Sequence, residues 1–140
     1  QNKGADLPLG IHIEDTTMQP TLVLNIKPDM LLYREESFGP VCTVQRFSSI
    51  EEGVALANDS EFGLSSAVFS QNISQALEVA QQIDSGICHI NGATVHDEAQ
   101  MPFGGTKSSG YGRFGSKASI AEFTDLRWIT IQTQSRHYPI

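Results

Sequence analysis

Residues 41–91 read VCTVQRFSSIEEGVALANDSEFGLSSAVFSQNISQALEVAQQIDSGICHIN. Their pattern alternates between short apolar runs and helical periodicity. Val41 to Phe47 is a strand expected to be central, because Val41, Cys42, Val44 and Phe47 leave it little polar surface. Ser48 or Ser49 then opens a helix, with Glu51 or Glu52 three residues on to complete a capping box. Ile50, Val54 and Ala57 fall at i, i+4 and i+7 on one face of it. Gly63 leads into a strand from Leu64 to Ser70. Asn72 with Gln75 caps a second helix, whose stripe is Ile73, Ala76, Leu77, Ala80 and Ile83. Gly86 is read as its left-handed C-terminal cap, and Ile87 to Asn91 as the next strand. Strand, helix, strand, helix, strand with short connections predicts an α/β fold with a parallel sheet and right-handed crossovers.

Working outward, Thr21 to Ile26 is a short strand stopped by the Lys27-Pro28-Asp29 turn. Residues 1–20 form a polar lead-in, expected to be loose. In parallel sheets, ligands gather beyond the carboxyl ends of the strands, which places the loop after Asn91 near chemistry. Gly92 to Gly115 is a glycine-punctuated passage. Such long loops are usually functional or disordered, and Met101-Pro102-Phe103 favours an ordered one. Ser116 to Phe123 is a short helix. Leu126 to Ile131 is a final strand, apolar on both faces, which needs a neighbour on its edges. A partner subunit is the candidate neighbour.

A chain of 140 residues is one domain's worth of core. Its apolar fraction of 39% and charged fraction of 18% are those of a soluble globular protein. A net charge of −7 with scattered Lys and Arg argues against nucleic acid as a partner, for want of a basic stripe. No apolar run approaches the ~18 residues of a membrane span, and the amino terminus lacks a signal-peptide layout. Cys42 and Cys88 lie in apolar runs and are read as buried free thiols in a reducing compartment. A cytoplasmic location is expected, where the Asn-x-Ser triplets at Asn58 and Asn72 have no glycosylation meaning.

Three local patterns fail their mechanistic context. Gly110 to Gly115 matches G-x-G-x-x-G, but no buried strand precedes it and no acidic residue follows at ~20 positions. Gly105-Thr106-Lys107-Ser108 lacks the Gly before Lys that a phosphate loop needs. His96-Asp97-Glu98 are consecutive on one loop and do not converge on an ion. They read as a solvated or pocket-rim loop, and no metal site is expected.

Arg34-Glu35-Glu36-Ser37-Phe38-Gly39-Pro40-Val41 resembles the E-E-x-F-G-P-V signature of the NAD(P)-dependent aldehyde dehydrogenases. Pro102-Phe103-Gly104-Gly105 with Lys107-Ser108-Ser109-Gly110 resembles that family's P-F-G-G-x-K-x-S-G signature. Gly112-Arg113, a short helix, Glu122-Phe123-Thr124 and the terminal strand follow in family order. The likeness covers roughly residues 20 to 132. It looks closest to the salicylaldehyde, benzaldehyde and vanillin dehydrogenase branch, through Tyr33 to Phe38 and the His96 to Pro102 loop.

The resemblance implies the C-terminal, βαβαβ half of a catalytic domain over residues 21–125, with an oligomerisation strand and tail over 126–140. It implies NAD as cofactor, Glu36 on the nicotinamide ribose and Phe38 against the nicotinamide ring. Phe103, after a proline and before two glycines, is the candidate aromatic substrate wall. His96 and Met101 are further substrate candidates. The implied activity is oxidation of a small aromatic, salicylaldehyde-like aldehyde to its acid by a homo-oligomer joined through Leu126 to Gln132.

That chemistry needs a thiolate nucleophile, oxyanion donors, a nicotinamide within hydride reach and a base. The family's F-x-x-x-G-Q-x-C nucleophile segment has no match here. Its general-base Glu and dinucleotide-binding domain are likewise expected in sequence outside this chain, as in a truncated gene or a proteolytic piece. Cys88, on the strand leading to the pocket loop, is the fallback thiol, with Cys42 expected deeper in the sheet. The alternative reading is a non-catalytic piece that folds or associates. The sequence leaves open the preferred aldehyde and the choice between NAD and NADP.

Overall fold

The computed structural model describes residues 4–139. The first three residues of the lead-in and Ile140 lie outside the described residues. The lead-in is more structured than expected. Strands β1 (Ile13–Glu14) and β2 (Thr17–Met18) form an antiparallel hairpin whose turn holds Asp15 at φ 52°. Upstream, Asp6 exchanges two backbone hydrogen bonds of 2.9 Å with Leu24. Strand β3 (Thr21–Leu24) pairs in parallel with β4 (Val41–Val44), Thr21 opposite Val41 and Leu24 opposite Val44. Between them lies a single helical turn, α1 (Leu31–Arg34), which the sequence pattern did not announce.

Helix α2 (Ile50–Asn58) begins where the capping box placed it. Ser49 Oγ accepts from Glu52 N at 3.2 Å, and the Glu52 carboxylate accepts from Ser48 N at 2.7 Å. Two orphan donors are thereby satisfied, and Glu51 and Glu52 lie at the positive end of the helix dipole. Strand β5 (Phe62–Gly63) is split from β6 (Ser65–Val68). Helix α3 (Ile73–Ala80) follows, with Asn72 Oδ1 accepting from Gln75 N at 3.2 Å. Strand β7 (Ile87–Ile90) pairs in parallel with β6 in the register Ser65–Ile87 to Val68–Ile90. Helix α3 packs on both strands, which makes a β-α-β unit with parallel strands. Strand β8 (Thr106–Lys107) returns antiparallel to β5, and α4 (Ser116–Glu122) completes the elements.

Five expectations are corrected. The strands form separate two-stranded pairs rather than one parallel sheet, because β4 and β6 are not hydrogen-bonded to each other. Strand β4 is consequently an edge, not a centre, and Cys42 on it is exposed while Cys88 is half-buried. The order of depth expected for the two thiols is reversed. Helix α3 ends at Ala80 with Gln81 right-handed at φ −66°, so Ile83 lies beyond it. Gly86 is absent from the positive-φ glycines and is not a left-handed cap. Its role is close approach: a Cβ there would meet the Gly104 carbonyl oxygen at 1.8 Å.

The fifth concerns the terminal run. Residues 126–132 form no strand and no backbone hydrogen bond to another element among the described residues. Leu126 is fully exposed and Trp128 is 91% exposed. Among the described residues the run joins none of the strands, and a lone strand is not stable without a neighbour.

Apolar burial is sparse. Among the described residues the buried apolar side chains are Val23, Met30 and Ala76, while Phe47, Ile50, Phe69, Ile73 and Leu77 remain exposed. No helix among the described residues is long and apolar enough to cross a membrane.

Candidate functional site

The passage from Gly92 to Gly115 is ordered by a small set of backbone bonds. Phe103 and Phe114 exchange two hydrogen bonds of 2.8 Å. Arg113 donates to the carbonyls of Gly105 and Gly112, each at 2.7 Å. Gly115, at φ 101°, lets the chain pass so near Met101 that a Cβ would sit 2.1 Å from the Met101 carbonyl oxygen. A left-handed residue beside a backbone carbonyl admits only glycine. These contacts fold the passage onto itself, and Gly104 within it packs against Gly86, the residue before β7.

The result is a cavity of about 380 Å³ between β7 and the loop. Phe103, His96 and Met101, the three substrate candidates, all line it together with Cys88 and His89. His96 Nε2 is 3.2 Å from Glu98 Oε1, and Gln100 donates to the other oxygen of the same carboxylate. The His89 and His96 rings meet edge to face, with centroids 5.5 Å apart. Nε2 of His89 is buried without a hydrogen-bond partner. Ile87, Met101, Pro102 and Phe103 supply apolar walls, and Asp97 and Glu98 line the cavity as well. Such a cavity suits a flat aromatic ligand of single-ring size with one or two polar groups.

Cys88 borders the same cavity, but the pleat of β7 sets its side chain on the face opposite that of His89. Ser65, paired with Ile87 in the ladder, donates to the Thr94 carbonyl at 3.0 Å. That bond identifies the Ser65, Ile87 and His89 face as the loop side. No hydrogen bond or ion pair among the described residues engages the Cys88 thiol, so nothing there activates it as a nucleophile.

Glu36 lines a neighbouring cavity of about 620 Å³ with Ser60, Ser65, Ser66, Ser108 and Ser109. No ion pair among the described residues engages its carboxylate. Phe38 is 94% exposed and lines neither cavity. The structure thus gathers the substrate candidates in one place and sets the two cofactor candidates apart from them. Among the described residues there is no group of three or more His, Cys, Asp or Glu arranged to hold a metal ion.

Two clamps position these parts, and neither set of contacts was expected from the sequence. Asp59, the C-cap residue of α2, accepts from Tyr33 Oη at 2.7 Å and pairs with Arg34 at 2.8 Å. These contacts fix the turn that leads into Glu36 and Phe38. Accepting from Tyr33 and then Arg34 holds the Asp59 carboxyl below its ordinary value, and the same bond to Asp59 raises the Tyr33 phenol. The second clamp is Lys107, in the loop signature, which donates to the carbonyls of Asn58 and Ser60 at 3.0 and 3.1 Å. A cation at the C-terminal end of α2 also complements its dipole.

The family model for the aldehyde dehydrogenase family matches residues 1–129. The chain belongs to the aldehyde dehydrogenase family. It is 63% identical over 138 residues to a vanillin dehydrogenase of Pseudomonas sp. (strain HR199), covering 99% of this chain and 29% of that protein. Among solved structures it superposes on a salicylaldehyde dehydrogenase from Pseudomonas putida G7 complexed with salicylaldehyde. The TM-score there is 0.90 and the identity 45%, over 99% of this chain and 29% of the other. It also superposes on a Mycobacterium tuberculosis aldehyde dehydrogenase complexed with NAD+, with a TM-score of 0.80 and 30% identity, over 89% of this chain and 26% of the other. The chain therefore spans under a third of the length of these relatives. The separate strand pairs and the exposed apolar faces are features of that segment considered by itself.

Proposed function

We propose that the chain is the part of an NAD-dependent aromatic aldehyde dehydrogenase that walls the substrate pocket and steadies the nicotinamide end of the cofactor. The single observation that carries this reading is the cavity behind β7. It gathers Phe103, His96 and Met101 in a chain 63% identical to a vanillin dehydrogenase. The substrate is a single-ring aldehyde of the salicylaldehyde or vanillin kind, and the product its carboxylic acid.

The roles follow from chemistry. Phe103 offers an aromatic edge or face to the substrate ring, and Met101 a deformable thioether against it. Glu36 fits NAD because its carboxylate is free of ion pairs and can accept from both hydroxyls of a ribose. Phe38 fits because its exposed ring leaves a flat apolar face for the nicotinamide. NAD, when bound, supplies the hydride acceptor. This chain's groups hold and orient the two reactants. The nucleophile and the general base belong to the remainder of the protein, as do the 2′-hydroxyl contacts that select NAD over NADP. The domain limits of 21–125 and 126–140 belong to this reading, as does a cytoplasmic location. So does a homo-oligomer in which Leu126 to Gln132 pairs with another subunit.

A second reading is favoured by the exposed apolar faces: taken alone, the chain folds or associates without catalysing. Incubating the complete protein that contains this chain with NAD and vanillin, salicylaldehyde or benzaldehyde, while following NADH absorbance, separates the two. Turnover of aromatic aldehydes supports the first reading. No NADH at high protein concentration leaves the second.

A further inference from the structure

Lys107 combines an unusual backbone conformation with a fully engaged cation. It stands at φ 53° on β8, in the left-handed region that a long side chain holds only where its surroundings fix it. Those surroundings are specific. The ammonium donates to the carbonyls of Asn58 and Ser60 at 3.0 and 3.1 Å and pairs with Asp84 at 3.5 Å. Three acceptors thus match the three protons of the group, and the side chain is 22% exposed. Its neighbours are tied to the same segments. Thr106 Oγ1 lies 3.3 Å from the carbonyls of both Gly63 and Asp84, and Ser109 Oγ accepts from Gly63 N at 2.9 Å. Asn58 Oδ1 closes the junction by accepting from Asp84 N at 2.8 Å.

The joined segments carry different halves of the candidate site. Ser60 and Asp84 line the cavity of Glu36, as do Ser108 and Ser109 directly after Lys107. Phe103, four residues before it, lines the cavity behind β7. Lys107 itself lines neither cavity. We propose that Lys107 is a positioning residue that keeps the aromatic wall in register with the Glu36 cavity, and so aligns the formyl group of the aldehyde with the nicotinamide. This rests on the function proposed above. A left-handed backbone alone would be served by glycine; the lysine adds a cation that reaches three acceptors on two other segments. Because it meets neither reactant, its loss falls on their mutual alignment and not on the grip of either cavity. Hydride transfer is the step that senses such a displacement, since a shift of about 1 Å between reacting groups costs up to roughly a hundredfold in rate.

The test uses the complete dehydrogenase that contains this chain, with Lys107→Met, which keeps the stem without the cation, and Lys107→Arg, which keeps the cation. Two quantities are measured: the single-turnover rate constant of NADH formation at saturating NAD and benzaldehyde, and the Kd for NAD by calorimetry. A first-order constant does not move when only the amount of folded enzyme falls. Lys107→Met is expected to lower it about tenfold or more, and deuterium on the formyl carbon to slow it further, as hydride transfer requires. The Kd for NAD is expected to stay within about threefold of the unaltered value. Lys107→Arg is expected to restore part of the rate. An unchanged rate constant in Lys107→Met overturns the proposal, as does an equal fall in both variants. So does loss of NAD binding, which would make Lys107 a support of the cofactor cavity alone. If the unaltered enzyme oxidises no aromatic aldehyde, the function proposed above fails, and this inference with it. Turnover with an unchanged rate constant in Lys107→Met overturns this inference alone.

Discussion

The Tyr33 hydroxyl donates to Asp59 Oδ2 across 2.7 Å, joining two residues 26 positions apart. Arg34 reaches the other oxygen of the same carboxylate at 2.8 Å, so one aspartate holds two successive residues of α1 against the end of α2. Glu36 and Phe38 begin two residues later. The pair therefore sets the direction from which the cofactor signature leaves the fold, although neither residue is placed to touch cofactor or substrate.

Asp59→Asn removes the charge and weakens both bonds. The Arg34 and Asp59 side chains are 48% and 44% exposed, and pairs so well solvated are worth little. The expected effect in the complete enzyme is a two- to fivefold rise in the KM for NAD, roughly the range such a pair supports, with kcat changed less. A loss confined to kcat would contradict a positioning role for this clamp.

The same pair has a signed pH dependence. Asp59 titrates below its ordinary value of 3.8, first because Tyr33 donates to it and then because Arg34 does. Its contribution to stability is present above that ordinary value and lost as pH falls through the lowered one. Tyr33 titrates above its ordinary value of 10.0, chiefly through the bond to Asp59. Its contribution is complete below 10.0 and lost as pH rises through the raised value. Ultraviolet titration of the phenols should show one tyrosine ionising late, and Asp59→Asn should bring it back toward 10.0. A late tyrosine that ignores the substitution would count against the geometry.

Ser49→Ala tests the start of α2. Its hydroxyl accepts from Glu52 N at 3.2 Å, and loss of such a cap costs about 1 kcal/mol. A fall in thermal midpoint is expected, with Ser49→Asp restoring it. An unchanged midpoint in Ser49→Ala would mean that the cap is not satisfied by this side chain.

Gly86→Ala is expected to be far more damaging than the cap variant. The new Cβ would need the space of the Gly104 carbonyl, and overpacking at a rigid contact costs about 1–3 kcal/mol or more. Because Gly104 belongs to the loop that carries Phe103, aldehyde KM should rise along with the loss of stability. Full stability in Gly86→Ala, measured by thermal unfolding, would show that β7 and the loop are not in contact there.

These variants also mark how much of the molecule was legible in its sequence. Ser49 and Asn72 announced their helices because capping is local, written in side chains three residues apart. The strands at 21–24, 41–44, 65–68 and 87–90 fell inside their expected runs for the same reason. What failed was partnership. Cys42 looks buried from its apolar neighbours, yet it is exposed because β4 pairs on one edge only. Leu126 to Gln132 has strand composition, yet among the described residues it joins no strand. Gly86 stands where a cap would, but its real constraint is a carbonyl 18 positions away. His89 carried a signal that could have been read, a histidine in an apolar strand leading into the pocket loop. Asp59 carried none, since its two partners lie 26 and 25 positions upstream.

The most direct measurement is a grid of initial rates of NADH formation against NAD and a hydroxybenzaldehyde, for the complete enzyme and its Glu36→Gln and Phe103→Ala variants. Turnover by the unaltered enzyme is predicted. Glu36→Gln should raise the KM for NAD and leave the aldehyde KM nearly in place, whereas Phe103→Ala should do the reverse. Absence of turnover, or two variants that shift both constants alike, would contradict a chain that walls the substrate with one signature and steadies the cofactor with the other.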